Sequence, residues 1–249
     1  MTASGLEVFT EGSGPRVVLV HGSVMGGDLC WMAQTPLAER WTLVKLNRRG
    51  FGNSPPAGGE DFEVDADQIA GLIEDGDHVV GFSYGGIVAL LAAAQRPDAI
   101  ASLAVLDPPA FALTKDEDSG QRAVAELADL RSRYAGDYAA WFRAFADWLG
   151  SPAPLPDPMP PPILNGARVS YHQRPPEQAV IPINELRTAP FPKLVISGDG
   201  HPTLRRVCDV LEQELNAERA YVPGVGHTLP FAGTPLNDAL ETFWLKSAD

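Results

Sequence analysis

Cysteine is nearly absent from this 249-residue chain. Its two cysteines, Cys30 and Cys208, are too few for a disulfide framework, and their spacing does not mark them as a pair. The chain also lacks apolar runs of about 18 residues, the length that a membrane-spanning helix needs. The opening letters, MTASGLEVF, contain neither a basic stretch nor a long apolar core, so they do not resemble a secretion signal. These absences predict a cytoplasmic protein.

Positive charge is also scarce. The chain has 19 lysines and arginines against 32 acidic residues, which gives a formal net charge of −13. We therefore expect no nucleic acid and no membrane as a partner, because both are anionic surfaces. Apolar residues make up 45% of the chain, enough for a sizeable core, which excludes a chain that is intrinsically disordered throughout.

Short β-branched runs alternate with helical patterns on both sides of a central interruption. This alternation predicts an α/β fold with a mostly parallel central sheet and helices on both faces. The predicted strands are Val17–Val20, Trp41–Leu46, Val79–Val80, Ile100–Leu106, Lys193–Ser197 and Ala220–Val222. The predicted helices of the alternating parts are Val64–Glu74, Ile87–Gln95, Leu204–Leu215 and Pro235–Lys246.

The interruption predicts an inserted lid. Residues 110–187 contain a helical stretch, Gln121–Leu149, and a proline-rich loop, Pro152–Pro162. We expect residues 1–109 and 188–249 to form the core of a single structural domain, with the insertion covering one end of the sheet.

The sequence GFSYG at residues 81–85 joins a predicted strand to a predicted helix. In this setting G-x-S-x-G makes a sharp turn that exposes Ser83 Oγ at the carboxyl edge of the sheet. A helix that begins near Tyr84 directs free N–H groups to the same place. The segment after the first predicted strand adds a second donor, the N–H of Ser23 or of the adjacent Val24. These N–H groups are the expected oxyanion hole.

A serine hydroxyl needs a base to become a nucleophile. Of the five histidines, His227 is the best candidate, because it lies in a glycine-rich loop after the last predicted strand. His21 is expected to order a loop, and His78 to be solvated at the far end of its strand. His172 lies in the insertion, where a surface position or a substrate contact is expected. The candidate substrate contacts are Val24, Trp141, Phe145 and His172, although packing of the lid on the core also explains the two aromatic residues.

Four motifs follow one another in an order typical of one family. They are His21-Gly22, the loop Arg49-Gly50-Phe51-Gly52-x-Ser54, Gly81-x-Ser83-x-Gly85 and Gly224-x-Gly226-His227. With them the chain resembles the α/β-hydrolase fold family, in its serine hydrolase or esterase-like branch, over nearly its whole length. The resemblance implies a cofactor-free enzyme with Ser83 as nucleophile, His227 as general base and acid, and a lid after the sixth family strand, here Ile100–Leu106. Because residue 83 is serine and not aspartate, the dehalogenase and epoxide hydrolase branches are disfavoured.

The third member of the triad departs from the family pattern. The family usually has G-x-x-D after its seventh strand, but here the segment reads Gly198-Asp199-Gly200-His201. Asp107, at the end of the preceding predicted strand, is the favoured acid, and Asp199 is the alternative. From the strand end, Asp107 is expected to accept the Nδ1–H of His227.

The sequence therefore predicts a serine hydrolase of a small carboxylic ester, thioester or lactone. A C–C bond hydrolase, a perhydrolase, a biosynthetic tailoring enzyme and a non-catalytic ligand-binding protein of the same fold remain alternatives. No metal-ligand motif and no nucleotide-binding glycine motif occurs, so neither a metal nor a cofactor is expected. The expected partner is a small-molecule substrate, and a monomer and a homodimer are equally consistent with the sequence.

Overall fold

The structure, a computed structural model, describes residues 5–151 and 155–246. Its strands are β1 Glu7–Glu11, β2 Arg16–Val20, β3 Thr42–Asn47, β4 Asp77–Phe82, β5 Ile100–Leu106, β6 Lys193–Ser197 and β7 Glu218–Tyr221. Its α-helices are α1 Gly27–Cys30, α2 Phe62–Ala70, α3 Tyr84–Gln95, α4 Asp118–Arg133, α5 Tyr138–Trp148, α6 Pro161–Tyr171, α7 Ile183–Thr188, α8 Pro202–Leu215 and α9 Thr234–Lys246. The ends of the predicted core, residues 1–4 and 247–249, and residues 152–154 of the predicted proline-rich loop lie outside the described residues.

The seven strands form one sheet in the order β1-β3-β2-β4-β5-β6-β7. Neighbouring strands from β3 to β7 are parallel, and only the pairing of β1 with β3 is antiparallel. The predicted α/β fold with a mostly parallel sheet is confirmed. The strand Ile100–Leu106 is the fifth strand along this chain. Parallel pairing brings the carboxyl ends of β2, β4, β5 and β6 to one edge of the sheet.

Hydrophobic layers cover both faces of the sheet, because successive strand side chains point to opposite faces. In β2, Val18 and Val20 join a cluster on one face, whereas Val17 and Leu19 join the cluster on the other. Helices α2, α3 and α8 contribute to the first cluster and α9 to the second. The residues of β2 and β4 are almost all buried, which explains the continuous apolar run Val17–Val20 and the adjacent Val79 and Val80.

Between β5 and β6 the chain forms helices α4 to α7 and short 3-10 turns. The predicted helical stretch Gln121–Leu149 is two helices, separated by a turn in which Gly136 has a φ of +85° and Asp137 caps α5 by accepting from the Ala140 N–H. Helix α6 begins at Pro161, within the stretch predicted to be a loop. Proline is favoured at the first position of a helix, where no N–H partner is needed, so this proline run begins a helix.

Within residues 5–151 and 155–246, no helix combines the length and the apolarity that crossing a membrane requires.

Candidate active site

Ser83 lies in the sharp turn between β4 and α3. Its φ of +52° and ψ of −126° form a backbone conformation that residues with a side chain rarely adopt. The glycines around it are required by close approach: a Cβ on Gly85 would lie 2.2 Å from His21 O, and one on Gly81 would lie 2.4 Å from Gly85 O. The turn directs Ser83 to the carboxyl edge of the sheet.

Three predicted residues meet at this edge. His227 Nε2 lies 2.9 Å from Ser83 Oγ, and His227 Nδ1 lies 3.3 Å from Asp107 Oδ2. All three side chains are buried. When Nδ1 carries the proton and its N–H donates a hydrogen bond to Asp107, Nε2 accepts a hydrogen bond from the serine hydroxyl. In this tautomer the hydrogen bonds run in the direction that a serine nucleophile requires: the serine donates to the base, and the base donates to the acid that orients it.

The two candidate acids differ in their surroundings. Asp107 lies at the end of β5, where it also accepts from the Gly198 N–H at 3.4 Å and from the Cys208 thiol at 3.6 Å. Burial, and then the negative charge of Asp107, raise the pKa of the Cys208 thiol well above its usual value. Asp199 is exposed and instead accepts hydrogen bonds from the Gly224 N–H and the Tyr221 hydroxyl. The structure therefore brings Asp107, and not Asp199, to His227.

The main-chain N–H groups near Ser83 divide into bound and available ones. The Val24 N–H donates to Ser170 Oγ at 2.9 Å. For the N–H groups of Ser23 and Tyr84, the described part of the chain offers no acceptor. Both residues line the small pocket that contains Ser83 and His227.

Two cavities open beside Ser83. The larger, of about 310 Å³, has an almost wholly apolar lining that includes Phe82, Phe142 and Leu149. The smaller, of about 20 Å³, is bounded by side chains such as Phe111 and Trp148. Ser23, Ser83, Phe145, Leu149 and His227 line both cavities. The serine thus stands between a large apolar space and a space for about one water-sized group.

Comparison with known proteins shows which family the fold represents. The model of the alpha/beta hydrolase family matches residues 17–238. The chain belongs to the alpha/beta hydrolase family. It is similar to an alpha/beta hydrolase from Sphaerobacter thermophilus, with 25% identity, a TM-score of 0.67 and 96% of each chain covered. It has the fold of a thermophilic esterase from Thermogutta terrifontis, with 20% identity, a TM-score of 0.67, and 98% of this chain and 94% of that chain covered.

Curated relatives of the family match a shorter region. A pimeloyl-[acyl-carrier protein] methyl ester esterase from Aeromonas hydrophila is 35% identical over 138 residues, which cover 54% of this chain and 53% of the relative. The protein of the same name from Methylococcus capsulatus is 38% identical over 103 residues, which cover 41% of this chain and 40% of the relative. The match thus spans about half the length of the curated relatives, or less.

The four predicted substrate contacts are placed differently. Val24 and Phe145 line the larger cavity. Trp141 does not line either cavity beside Ser83, because it is buried behind Phe145, with ring centroids 5.0 Å apart. His172 is exposed and pairs with the Tyr138 hydroxyl at 3.1 Å. Trp141 and His172 thus lie away from the two cavities beside Ser83, and their contacts with substrate stay predictions.

Two other histidines are buried. His21 Nε2 accepts the Arg48 N–H at 2.9 Å, and burial, assisted by the Arg48 charge, lowers the pKa of His21 well below its usual value. The expected loop-ordering position of His21 agrees with these contacts. The prediction of a solvated His78 is wrong, because the rings of Trp41 and Trp244 pack against it. Burial lowers the pKa of His78 to about 4.

Several residues near the site were missed by the sequence analysis. They are Phe82, Phe142 and Leu149 in the larger cavity, and Ser170 and Gln173, which contact Val24 and Ser23. Phe82 belongs to the GFSYG turn, so that motif could have found it. The others lie in the inserted segment, where no local motif marks them, because they reach the site only through packing of that segment on the core. Among the described residues, no group of three or more histidine, cysteine or acidic side chains is arranged to hold a metal ion.

Proposed function

We propose that this chain is a serine hydrolase of carboxylic esters, with Ser83 as nucleophile, His227 as general base and acid, and Asp107 as the acid that orients His227. The contact that carries the proposal is the 2.9 Å separation of Ser83 Oγ from His227 Nε2, with Asp107 on the other side of the imidazole. Family membership and the names of the curated relatives support ester hydrolysis.

The proposed reaction has two stages. Ser83 Oγ attacks the ester carbonyl while His227 Nε2 takes the serine proton, and Asp107 stabilises the resulting imidazolium. The N–H groups of Ser23 and Tyr84 bind the oxyanion of the tetrahedral intermediate. His227 then protonates the leaving alcohol, which leaves an acyl group on Ser83. In the second stage His227 deprotonates a water molecule, which attacks the acyl group. His227 then returns that proton to Ser83 Oγ as the bond from Oγ to the acyl carbon breaks, which releases the acid and the free serine.

The shapes of the two cavities support a substrate class. A space of about 310 Å³ with an apolar lining suits an apolar acyl chain, and a space of about 20 Å³ suits a leaving group as small as methoxy. Methyl esters are also what the curated relatives are named for. We therefore place the acyl chain in the larger cavity and the methyl-sized alcohol in the smaller one.

The inserted residues 110–187 act as a lid in this proposal. Helix α5 supports that role, because its Phe142 and Phe145 form part of the wall of the larger cavity. The core and lid boundaries proposed here are those expected from the sequence, residues 1–109 with 188–249 and residues 110–187.

Stoichiometric labelling with a fluorophosphonate tests the nucleophile. The native chain is expected to be labelled at Ser83 and to hydrolyse methyl butyrate. Ser83→Ala is expected to abolish both, and His227→Ala to lower labelling and turnover by orders of magnitude. A folded native chain that is neither labelled nor active would contradict the proposal and would favour a ligand-binding protein of this fold.

A methyl ester and a butyl ester of the same mid-chain acid test the substrate class. We expect the native chain to prefer the methyl ester. Equal rates on both esters would contradict the proposed assignment of the smaller cavity and would leave the assignment of the nucleophile intact.

A further inference from the structure

A buried cluster of charged residues lies outside the proposed triad. The guanidinium of Arg48 pairs with Glu60 Oε2 at 2.6 Å and with Asp65 Oδ2 at 2.9 Å, and all three side chains are almost completely buried. Burial by itself disfavours the charge on Arg48, but the two carboxylates raise its pKa above the usual value. A permanent positive charge is therefore held in the interior.

One end of this cluster holds the main chain that precedes Ser23. Arg48 Nη2 donates to Gly22 O at 2.7 Å, and Arg48 Nε donates to His21 O at 3.1 Å. Two successive carbonyls of the segment His21–Val24, here called the oxyanion loop, therefore point to Arg48. Charge-assisted hydrogen bonds of this kind are stronger than neutral ones and fix direction as well as distance.

The other end of the cluster holds the same loop through helix α6. Ser170 donates its hydroxyl to Glu60 Oε1 and accepts the Val24 N–H at 2.9 Å. The helix lies directly against the loop, because a Cβ on Gly166 would lie 1.8 Å from Val24 O. Val24 itself has a φ of +72°, a strained conformation that its surroundings must hold in place.

These contacts determine which N–H of the loop is available. The carbonyls of His21 and Gly22 are engaged by Arg48, and the Val24 N–H is engaged by Ser170. The N–H of Ser23 lies between these anchored groups and has no acceptor in the described residues. Its direction is therefore fixed by the hydrogen bonds on both sides of it.

We propose that Ser170, Glu60 and Arg48 are positioning residues that aim the Ser23 N–H at the oxyanion and couple the inserted helix α6 to the transition state. This inference rests on the proposed function, because it assigns the oxyanion loop a role in ester hydrolysis. Loss of the Ser170 hydroxyl leaves the Val24 N–H and Glu60 Oε1 without partners in the interior. The loop then rotates to satisfy them and moves the Ser23 N–H away from the oxyanion.

Ser170→Ala tests the proposal, with Asn165→Ala as the matched control. Asn165 is also on α6 and also ties the helix to the core, through a 3.0 Å hydrogen bond to Gly50 O, but it does not contact the oxyanion loop. For Ser170→Ala, kcat on methyl butyrate is expected to fall about 10- to 100-fold with little change in KM. Affinity for a trifluoromethyl ketone, which forms an oxyanion on Ser83, is expected to fall by a similar factor. Asn165→Ala is expected to change neither by more than about twofold.

Amide hydrogen exchange at Val24, followed by NMR, gives a readout that does not depend on activity. The Val24 amide is expected to be protected in the native chain and in Asn165→Ala, and to exchange faster in Ser170→Ala by more than the loss of global stability accounts for. Glu60→Gln is the second variant if Ser170→Ala does not fold, and it is expected to change kcat and Val24 exchange in the same direction.

Two results would overturn the inference: a kcat for Ser170→Ala within twofold of that for Asn165→Ala, or a Val24 amide that stays protected in Ser170→Ala. Failure of the proposed function is a separate result. It would appear as a native chain that is neither labelled nor active. The exchange measurement would still test the hydrogen bond from the Val24 N–H to Ser170.

Discussion

Asp107 and Asp199 show how two carboxylates close together along the sheet edge come to have different surroundings. Asp107 is buried at the end of β5, where its carboxylate oxygens contact His227 Nδ1, the Gly198 N–H and the Cys208 thiol. Asp199 lies two residues after β6 and accepts hydrogen bonds from the Tyr221 hydroxyl and the Gly224 N–H. Asp199 thus ties together the loops that follow β6 and β7.

Replacement of the two aspartates by asparagine separates an orienting role from a loop-supporting one. Asp107→Asn is expected to lower kcat about 10⁴-fold, because an amide in that place favours the wrong imidazole tautomer and cannot stabilise the imidazolium. Asp199→Asn has nearly the same shape change and is expected to lower kcat by less than about tenfold. Turnover of methyl butyrate and thermal unfolding of both variants check this. A larger loss of kcat in Asp199→Asn than in Asp107→Asn would show that Asp199, and not Asp107, orients His227.

At this scale the sequence predicts the residues that local motifs mark. Ser83 is marked by G-x-S-x-G between a strand and a helix, and His227 by the glycine-rich loop that holds it. Ser170 and Glu60 have no such mark, because their positions near Val24 depend on how helix α6 packs on the core. His78 was misread for a related reason. Its place at the start of a strand suggested solvent, and only the packing of Trp41 and Trp244 shows that it is buried.

Helix α5 carries the aromatic side chain that separates the two cavities. Phe145 lines both, and it stacks between Trp141 and Trp148 with interplanar angles of 11° and 8°. Phe142, one turn earlier on the same helix, lines the larger cavity but not the smaller one. The helix therefore offers a matched pair of aromatic residues.

Truncation of Phe145 is expected to change selectivity for the alcohol part of the ester. Phe145→Ala joins the two cavities, so the rate on a butyl ester relative to a methyl ester is expected to rise about tenfold or more. Phe142→Ala enlarges only the larger cavity and is expected to leave that ratio within about threefold of the native value. Competition between the two esters of one acid measures both variants. An unchanged ratio in Phe145→Ala would show that this ring does not limit the leaving group.

Strands and helices were predictable where the local sequence pattern is compatible with only one kind of secondary structure. Strands β5 and β6 were predicted with the bounds that the structure has, because they are mainly apolar runs with clear ends. Strand β1 was missed because it is a half-exposed edge strand without a continuous apolar run, held by antiparallel pairing with β3. Helix α6 was missed because a run of prolines is compatible both with an extended loop and with the first turn of a helix. Contact with the core decides between the two.

Over the whole molecule, buried neutral histidines make stability depend on pH. The folded pKa of His78 is about 4, against an ordinary value of 6.5 in the unfolded chain. Between these two pH values the unfolded chain binds a proton that the folded chain does not, so stability rises with pH. The contribution is complete above pH 6.5 and is lost as the pH falls to 4. It amounts to at most about 3 kcal/mol, at 1.36 kcal/mol for each pKa unit.

His78→Gln is expected to reduce this dependence. The free energy of unfolding of the native chain is expected to rise between pH 4 and 6.5 more than that of the variant, by up to about 3 kcal/mol. His21 contributes in the same direction to both proteins, so their difference isolates His78. Urea denaturation at several pH values, with an NMR titration of the His78 ring, provides the measurement. Parallel curves for the two proteins would refute the assignment.

The hydrogen bond between Val24 and Ser170 joins residues that are 146 positions apart. On the role proposed for it, the inserted segment is not a module that can be exchanged freely among relatives. A chimera that receives a foreign insertion without a hydroxyl at position 170 would inherit a new binding cavity together with a loosened backbone at Ser23. Recombination of insertions on this scaffold would therefore alter turnover and substrate choice together, unless the incoming insertion supplied a hydroxyl that meets Glu60 of the core.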